Sequence, residues 1–404
     1  MVDSTKFQSP DRLHYDVVIV GGAMIGSSVA WFLSANPDFD GRILVVERDG
    51  SYKNSSTGHT NSCMRQQFSS ALNIQISQFG AEFVRNFRDQ MGGGEDVPDI
   101  HTHFFGYMYL AADEGLANAL REASALQVKC GAGTKLMTVE QIAKAYPFYH
   151  LDDIILGSHN LRDEGYFDGG TMFTWLGKSA RANGVTYLTN EVVGIDVNAG
   201  RVTGVRLASG ETIATGMLVN ASGPRGAKTA AMAGLQIPVE PRKRYTFIFD
   251  SAVPLGGDLP LTIDPSGIHC RTDGLYFMAG CAPEEDYAVD YDDFVLDHDI
   301  WEEKIWPALA NRIPAFEAIK LISSWAGHYA YNTLDQNAII GAHPDLPNFL
   351  FVNGFSGHGL QQSPAMGRGI SELVTYGEFR ELDMSRLGVE RIINNDPLIE
   401  RAVI

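Results

Sequence analysis

Three features of the sequence predict an α/β (α+β) fold, in which a mostly parallel, helix-covered sheet is interleaved with a domain built on an antiparallel sheet. The first is Tyr15 to Val20 (YDVVIV), a continuous apolar run that ends at Gly21-Gly22 and is followed by a helical stripe and a second apolar run, Arg42 to Glu47. Unbroken runs of this kind belong to strands buried on both faces of a parallel sheet, and strand, glycine turn, helix and strand within about 33 residues make one βαβ unit. The second is the alternation of valines and turns over 185–222, with a further strand-rich stretch from Pro238 to Asp250 (PVEPRKRYTFIFD) that runs on to YFMAGC near 280. The third is the return of an apolar, glycine-ended block, NFLFVNGFSGHG, just before a last long helix starting near Leu360. The two ends of the chain are therefore expected in one domain.

Taken in order, the elements support this. Val17 to Pro37 holds no charged residue and is long enough to cross a bilayer. Its prefix, however, carries Asp3, Lys6, Asp11, Arg12 and Asp16, and the run itself contains Gly21, Gly22, Gly26, Ser27 and Ser28. That reads as buried strand, turn and helix rather than as a span or a signal peptide. Ile25, Val29, Phe32 and Leu33 form the helix's apolar stripe. A polar loop from Ser51 to Ser70 follows, then an amphipathic helix over 72–92, and mixed strands (FFGYMYLA) and helices up to about 170. The expected boundaries are 12–95, 160–235 and 335–380 for the dinucleotide domain and 96–159 and 236–334 for the antiparallel one, with 381–404 as a tail packed on the body.

Composition narrows the function. The 404 residues carry a net charge of −18, the opposite of a phosphate-tracking surface, so no nucleic-acid partner is expected. The four cysteines are scattered without metal-type spacing, which predicts no metal site and free thiols in a reducing, cytoplasmic setting. The 42 glycines cluster at the ends of apolar runs, where backbone meets a ligand or a neighbouring backbone.

Gly21, Gly22, Ala23, Met24, Ile25 and Gly26 form a G-x-G-x-x-G pattern with alanine at the middle glycine. Gly21 permits the tight turn and Gly26 permits close helix–strand packing. The helix N-terminus, with its free N–H groups, would take a pyrophosphate. Glu47 ends the second strand and is placed for an adenosine ribose; Arg48 would reach the pyrophosphate or cap the strand. This pattern does not by itself separate NAD from FAD. FAD is favoured by its position at the extreme N-terminus and by two distant segments suited to a flavin. One is the strand end Ala221, Ser222 and Gly223. The other is Gly354, Gly357, His358, Gly359, Leu360 and Gln361, where a helix N-terminus would stabilise negative charge on the flavin ring.

IVGGAMIGSSVAWFLS, VVERD, TNSCMRQQFS, VNASGPRG and GFSGHGLQQSPAMGR together resemble the D-amino-acid oxidase superfamily of FAD-dependent amine oxidoreductases. PVEPRKRYTFIF and WAGHYAYNTLDQNAIIGAHP are similar to one branch of it. That branch includes the FAD-dependent oxidoreductase-domain protein of complex I assembly and bacterial sarcosine or N-substituted-glycine oxidase-like enzymes. The resemblance implies a GR2-type, FAD-binding Rossmann-like domain with Gly58, Asn61, Ser62 and Val192 also along the cofactor. It implies oxidation of a C–N bond by hydride transfer to the flavin, with O2 or an electron carrier as final acceptor. Arg65 matches the base that meets a substrate carboxylate. Tyr245, His269, Arg271 and Tyr331 are the further substrate contacts expected, and His328 and His358 the groups that would relay a proton. Were Arg65 and Arg271 both to face the pocket, an iminodiacetate-like dicarboxylate would suit it. The sequence departs from its relatives where some tether flavin to cysteine: T-L-D (Thr333 to Asp335) places His328 there, leaving His59 as another attachment point. The oxygen-activating lysine is expected to be replaced by Met278. A D-amino-acid dehydrogenase, a hydroxy-acid oxidoreductase and a flavoprotein that chiefly binds a partner are the competing readings.

Overall fold

The computed structural model describes residues 7–401. Its first sheet is centred on five parallel strands, in the order Thr186–Thr189, Ile43–Glu47, His14–Val20, Thr212–Asn220 and Leu346–Asn353. The strand Thr212–Asn220 is forked. Thr212 to Ala214 pair antiparallel with the meander strand Arg201–Leu207, while Leu218 to Asn220 pair parallel with Phe349 to Phe351. The meander continues to Val192–Asn198, and Ile339–His343 closes the other edge against Leu346–Asn353.

Burial explains why the first strand reads as one apolar run. Val17 and Ile19 point into a core shared with the helices Met24–Ser34, Ala71–Arg85, Gly169–Ala182 and Gly359–Tyr376. Val18 and Val20 point into a second core beneath the meander. Two helices cross closely: a Cβ at Gly367 would lie 2.2 Å from Ser28 Oγ, and that hydroxyl donates to Ser363 O at 2.7 Å.

The second sheet runs Ile319–Asn332, Val239–Ser251, Tyr276–Cys281, His269–Asp273, Leu261–Ile263, Tyr107–Ala111, Leu156–Asn160 and Lys135–Met137. It is antiparallel at every pair but one, Leu261–Ile263 against Tyr107–Ala111. Phe247, Phe249, Trp301 and Phe316 pack its core. A small third sheet of Cys63–Met64, Gly165–Phe167 and Thr102–His103 lies beside the loop that follows the second strand. The last segment is anchored by a buried pair, Arg391 Nε to Asp335 Oδ2 at 2.7 Å, and by Glu400, which accepts from Ser69 N and Oγ at 2.8 and 2.6 Å. Among the described residues no helix is long and apolar enough to cross a membrane.

Candidate active site

One cavity of about 330 Å³ runs between the two sheets. Its dinucleotide end is built by the first βαβ unit. Gly21 has φ +97°, and a Cβ there would lie 2.5 Å from Ala221 O. At Gly26 a Cβ would lie 1.9 Å from Gly21 O, so only glycine lets the helix start this close to the turn. The helix Met24–Ser34 has no cap from Ala23 and no acid in its first turn, its Met24 N–H alone going to Thr57 Oγ1 at 3.2 Å, and the helix Gly359–Tyr376 likewise starts without a cap from His358 or an acid. Both N-termini leave donors for an electron-rich ligand. Glu47 accepts from Gly22 N at 2.8 Å and from Asp49 N at 2.9 Å, which aims its carboxylate along the cavity wall. Burial raises its pKa above the ordinary glutamate value.

Of the residues expected along the cofactor, Gly21, Ala23, Met24, Ile25, Glu47 and Arg48 line this end. Ala221 and Ser222, packed against Gly21, line the same end, and Asn61, Ser62, Val192, Gly223, Gly357, His358, Gly359, Leu360 and Gln361 also line the cavity. Four others stand behind the wall. Gly22 gives its N–H to Glu47, and Gly26 packs on Gly21. Gly58 closes a turn on Ser55 O at 3.1 Å, and Gly354 turns the chain against Val239 and Asn332.

Arg65 sits at the opposite end, 2% exposed but on the cavity wall. Its guanidinium is held in place: Nη1 donates to Gln67 O and Tyr109 Oη, both at 2.8 Å, and Nη2 donates to His358 Nε2 at 2.8 Å. Its backbone N–H donates to Gln361 Oε1 at 2.7 Å, and Phe68 lies 4.2 Å beneath Cζ. An arginine offers no acceptor, so His358 Nε2 must accept and the imidazole is the neutral Nδ1–H tautomer. The loop is fixed from below by Glu164, wholly buried, which accepts from Gln66 N (2.7 Å), Gln67 N (3.1 Å), Gln67 Nε2 (2.9 Å) and Asn160 Nδ2 (2.8 Å).

From the second sheet, Tyr245 and His269 line the cavity. His269 is 8% exposed, its Nδ1 is without a hydrogen-bond partner, and burial lowers its pKa to about 4, so the ring is neutral near pH 7. Arg271 and Tyr331, expected as substrate contacts, do not line the cavity. Arg271 is covered by the loop at Asn61: Nη1 donates to Asp273 Oδ1 at 2.6 Å and Nη2 to Asn61 O at 3.0 Å. Tyr331 is stacked under Arg242, 4.0 Å from its Cζ. Met278 is buried in the sheet, away from the cavity. His328 lines the rim, but its Nε2–H donates to Asp293 O at 2.7 Å and its face is stacked on Phe294, which disfavours a proton relay. His59 covers the other side of Phe294, with its Nδ1–H on Ser55 O at 3.0 Å.

Tyr107, Arg244, Thr246 and Tyr329 also line the cavity and were not anticipated. Arg244 is bound by Asp286 at 2.7 and 2.9 Å, so its charge is matched. Tyr329 packs where a side chain at Gly357 would stand, 2.5 Å from that Cβ position. A glycine with φ +99° opposite an aromatic was the available signal.

A family model described as FAD dependent oxidoreductase (DAO) matches residues 16–373. The chain belongs to the DAO family of FAD-dependent oxidoreductases. It is 37% identical to FAD-dependent oxidoreductase domain-containing protein 1 of Xenopus laevis, over 98% of this chain and 85% of that protein. It is 23% identical to sarcosine oxidase subunit beta of Rhizobium meliloti, over 92% of this chain and 87% of that one. Among solved structures, L-proline dehydrogenase from P. horikoshii matches with a TM-score of 0.83 and 24% identity, over 95% of this chain and 98% of that one. The DAO-family cofactor fits this cavity on three counts. The two uncapped helix starts suit its phosphates and its ring edge, Glu47 suits a ribose, and the glycine turn clears backbone for close approach.

Proposed function

We propose that this protein oxidises the C–N bond of a secondary amine or amino acid that bears one carboxylate, of the sarcosine or N-alkylglycine type. The observation that carries the reading is Arg65, a buried guanidinium on the cavity wall, oriented by Gln67, Tyr109 and His358. A guanidinium so held pairs with a carboxylate at little further entropic cost. Its relative named for sarcosine, a carboxylate-bearing secondary amine, supports the same class. Arg271 lies outside the cavity and Arg244 is matched by Asp286, so the case for a second carboxylate, as in iminodiacetate, loses its cation.

FAD, when bound, supplies the two-electron acceptor for the substrate's hydride, leaving an imine that water hydrolyses. This chain's residues do the rest. Arg65 anchors the carboxylate, and its positive charge lowers the pKa of the neighbouring amine, favouring the neutral form that hydride loss requires. His358, neutral and accepting from Arg65, orients the anchor rather than taking the amine proton. Tyr107, Tyr245 and Tyr329 wall the pocket and exclude water, with the neutral ring of His269 beside them.

The test is anaerobic titration of the flavin protein with N-methylglycine, L- and D-amino acids, and iminodiacetate, following the loss of flavin absorbance. Bleaching by N-methylglycine at lower concentration than by iminodiacetate is expected. Bleaching by no amine at all would sink the proposal. Admitting air afterwards separates an oxidase from a dehydrogenase that uses an electron carrier.

A further inference from the structure

Between the strand Tyr276–Cys281 and the helical turn at Trp301 lies a segment that has entered so far only through Asp286, Asp293 and Phe294. Residues 284–298 have no regular secondary structure, and the segment up to Asp299, where the next helix starts, carries eight acids: Glu284, Glu285, Asp286, Asp290, Asp292, Asp293, Asp297 and Asp299. An acidic surface segment without structure would ordinarily be solvated. This one is tied down at several points around the cavity mouth. Asp286 is held by Arg244, and Val289 N donates to Pro241 O at 3.0 Å. Tyr291 lines the cavity itself, beneath the Arg225 guanidinium at 5.0 Å. Asp292 Oδ1 bridges two arginines of the dinucleotide domain, Arg225 at 2.7 Å and Arg48 at 3.6 Å. Asp293 pairs with Lys243 at 2.7 Å while its carbonyl takes the His328 N–H. Phe294 is stacked between His328, at 4.2 Å, and His59, at 5.4 Å, two rings that both line the cavity.

The segment thus leaves the second sheet, crosses the cavity rim, grips the first sheet's domain through Asp292 and returns. Both arginines gripped by Asp292 line the cavity where the βαβ unit would hold the dinucleotide. We propose that residues 284–299 are a strap that retains FAD non-covalently, with Asp292 as its clasp to Arg48 and Arg225 and Phe294 as its peg against His59 and His328. The proposal rests on the family's cofactor and not on the amine reading, so it stands or falls without any substrate.

The clasp is partly exposed, Asp292 more than Arg225 (61% and 18%), so salt should loosen it. FAD release from the flavin protein, read as the recovery of free-flavin fluorescence after dilution, is expected to quicken as NaCl is raised. Asp292→Asn should release FAD about 5-fold faster at low salt, the scale of losing two such pairs, and should lose most of the salt dependence. Phe294→Ala should quicken release while leaving the salt dependence in place. Because coupling is reciprocal, adding FAD to the wild-type apoprotein should slow amide hydrogen exchange across 284–299. Wild-type release rates in Asp292→Asn, or strap exchange that FAD leaves unchanged, would overturn the proposal; the exchange measurement needs no variant to fold.

Discussion

At the scale of single residues, the site depends on side chains whose hydrogen bonds are nearly all committed before a substrate arrives. Arg65 is the clearest case, and Arg65→Lys keeps the charge but loses the fork geometry and the bond to His358. We expect kcat/KM for the amine acid to fall by on the order of 10²- to 10³-fold, while the ratio of flavin to protein absorbance stays that of the wild type. An equal fall in bound flavin would mean that the residue supports the fold of the site rather than the substrate. His269 gives a pH prediction. Its folded pKa, about 4, lies below the usual histidine value of about 6.5 because burial disfavours the charged ring, and nearby Arg271 and Arg244 add to this. The unfolded chain therefore binds more protons between these values, and the neutral ring's contribution to stability, full above about pH 6.5, drains away as pH falls towards 4. His269→Asn should flatten the acid side of the stability curve by up to about 1.4 kcal/mol per pH unit, read from urea unfolding at several pH values. A curve parallel to wild type would rule out His269 as a source of that slope.

At the scale of elements, what was legible in the sequence was what contiguous residues encode. The buried strand, the glycine turn and the helix after it are local patterns, and Gly21, Gly26 and Glu47 lie where a βαβ unit puts them. Gly26→Ala would press a methyl 1.9 Å from Gly21 O and push the helix off the strand. It should cost about 1–3 kcal/mol by thermal unfolding and weaken FAD affinity as well, since the helix N-terminus moves with it. Loss of stability with unaltered flavin affinity would show that the turn tolerates displacement. The second sheet was less legible, because its contributions depend on long-range register. His269 and Arg271 share one face of their strand, as do Tyr329 and Tyr331 of theirs. Only His269 and Tyr329 meet the cavity, because the Asn61 loop covers Arg271 and Arg242 covers Tyr331. No spacing rule within one strand distinguishes such neighbours. The strap was invisible for a related reason: its acids read as a solvated loop until their arginine partners, about 67 and 244 residues away in sequence, are brought to it.

At the scale of the whole molecule, the ends are bound to the centre. The Arg391–Asp335 pair is almost fully buried, and Arg391 also donates to Leu387 O, Gly388 O and Ala338 O. Arg391→Ala leaves Asp335 as a charge without its partner and should cost about 3–5 kcal/mol, measured by denaturant melting; a loss below about 1 kcal/mol would show that the tail is dispensable to stability. The forked strand Thr212–Asn220 has a further consequence, one that concerns the timing of biosynthesis. Its second half, which carries the chain into Ala221 to Gly223, finds its outer partner only in Leu346–Asn353, with five of the second sheet's eight strands made in between. The meander half can pair as soon as it leaves the ribosome, but the flavin-facing half stays an open edge until nearly the last helix has emerged. Domains usually fold as they are synthesised, and this one cannot. The nascent chain is therefore expected to take up its cofactor only after Leu346–Asn353 has emerged and closed that edge.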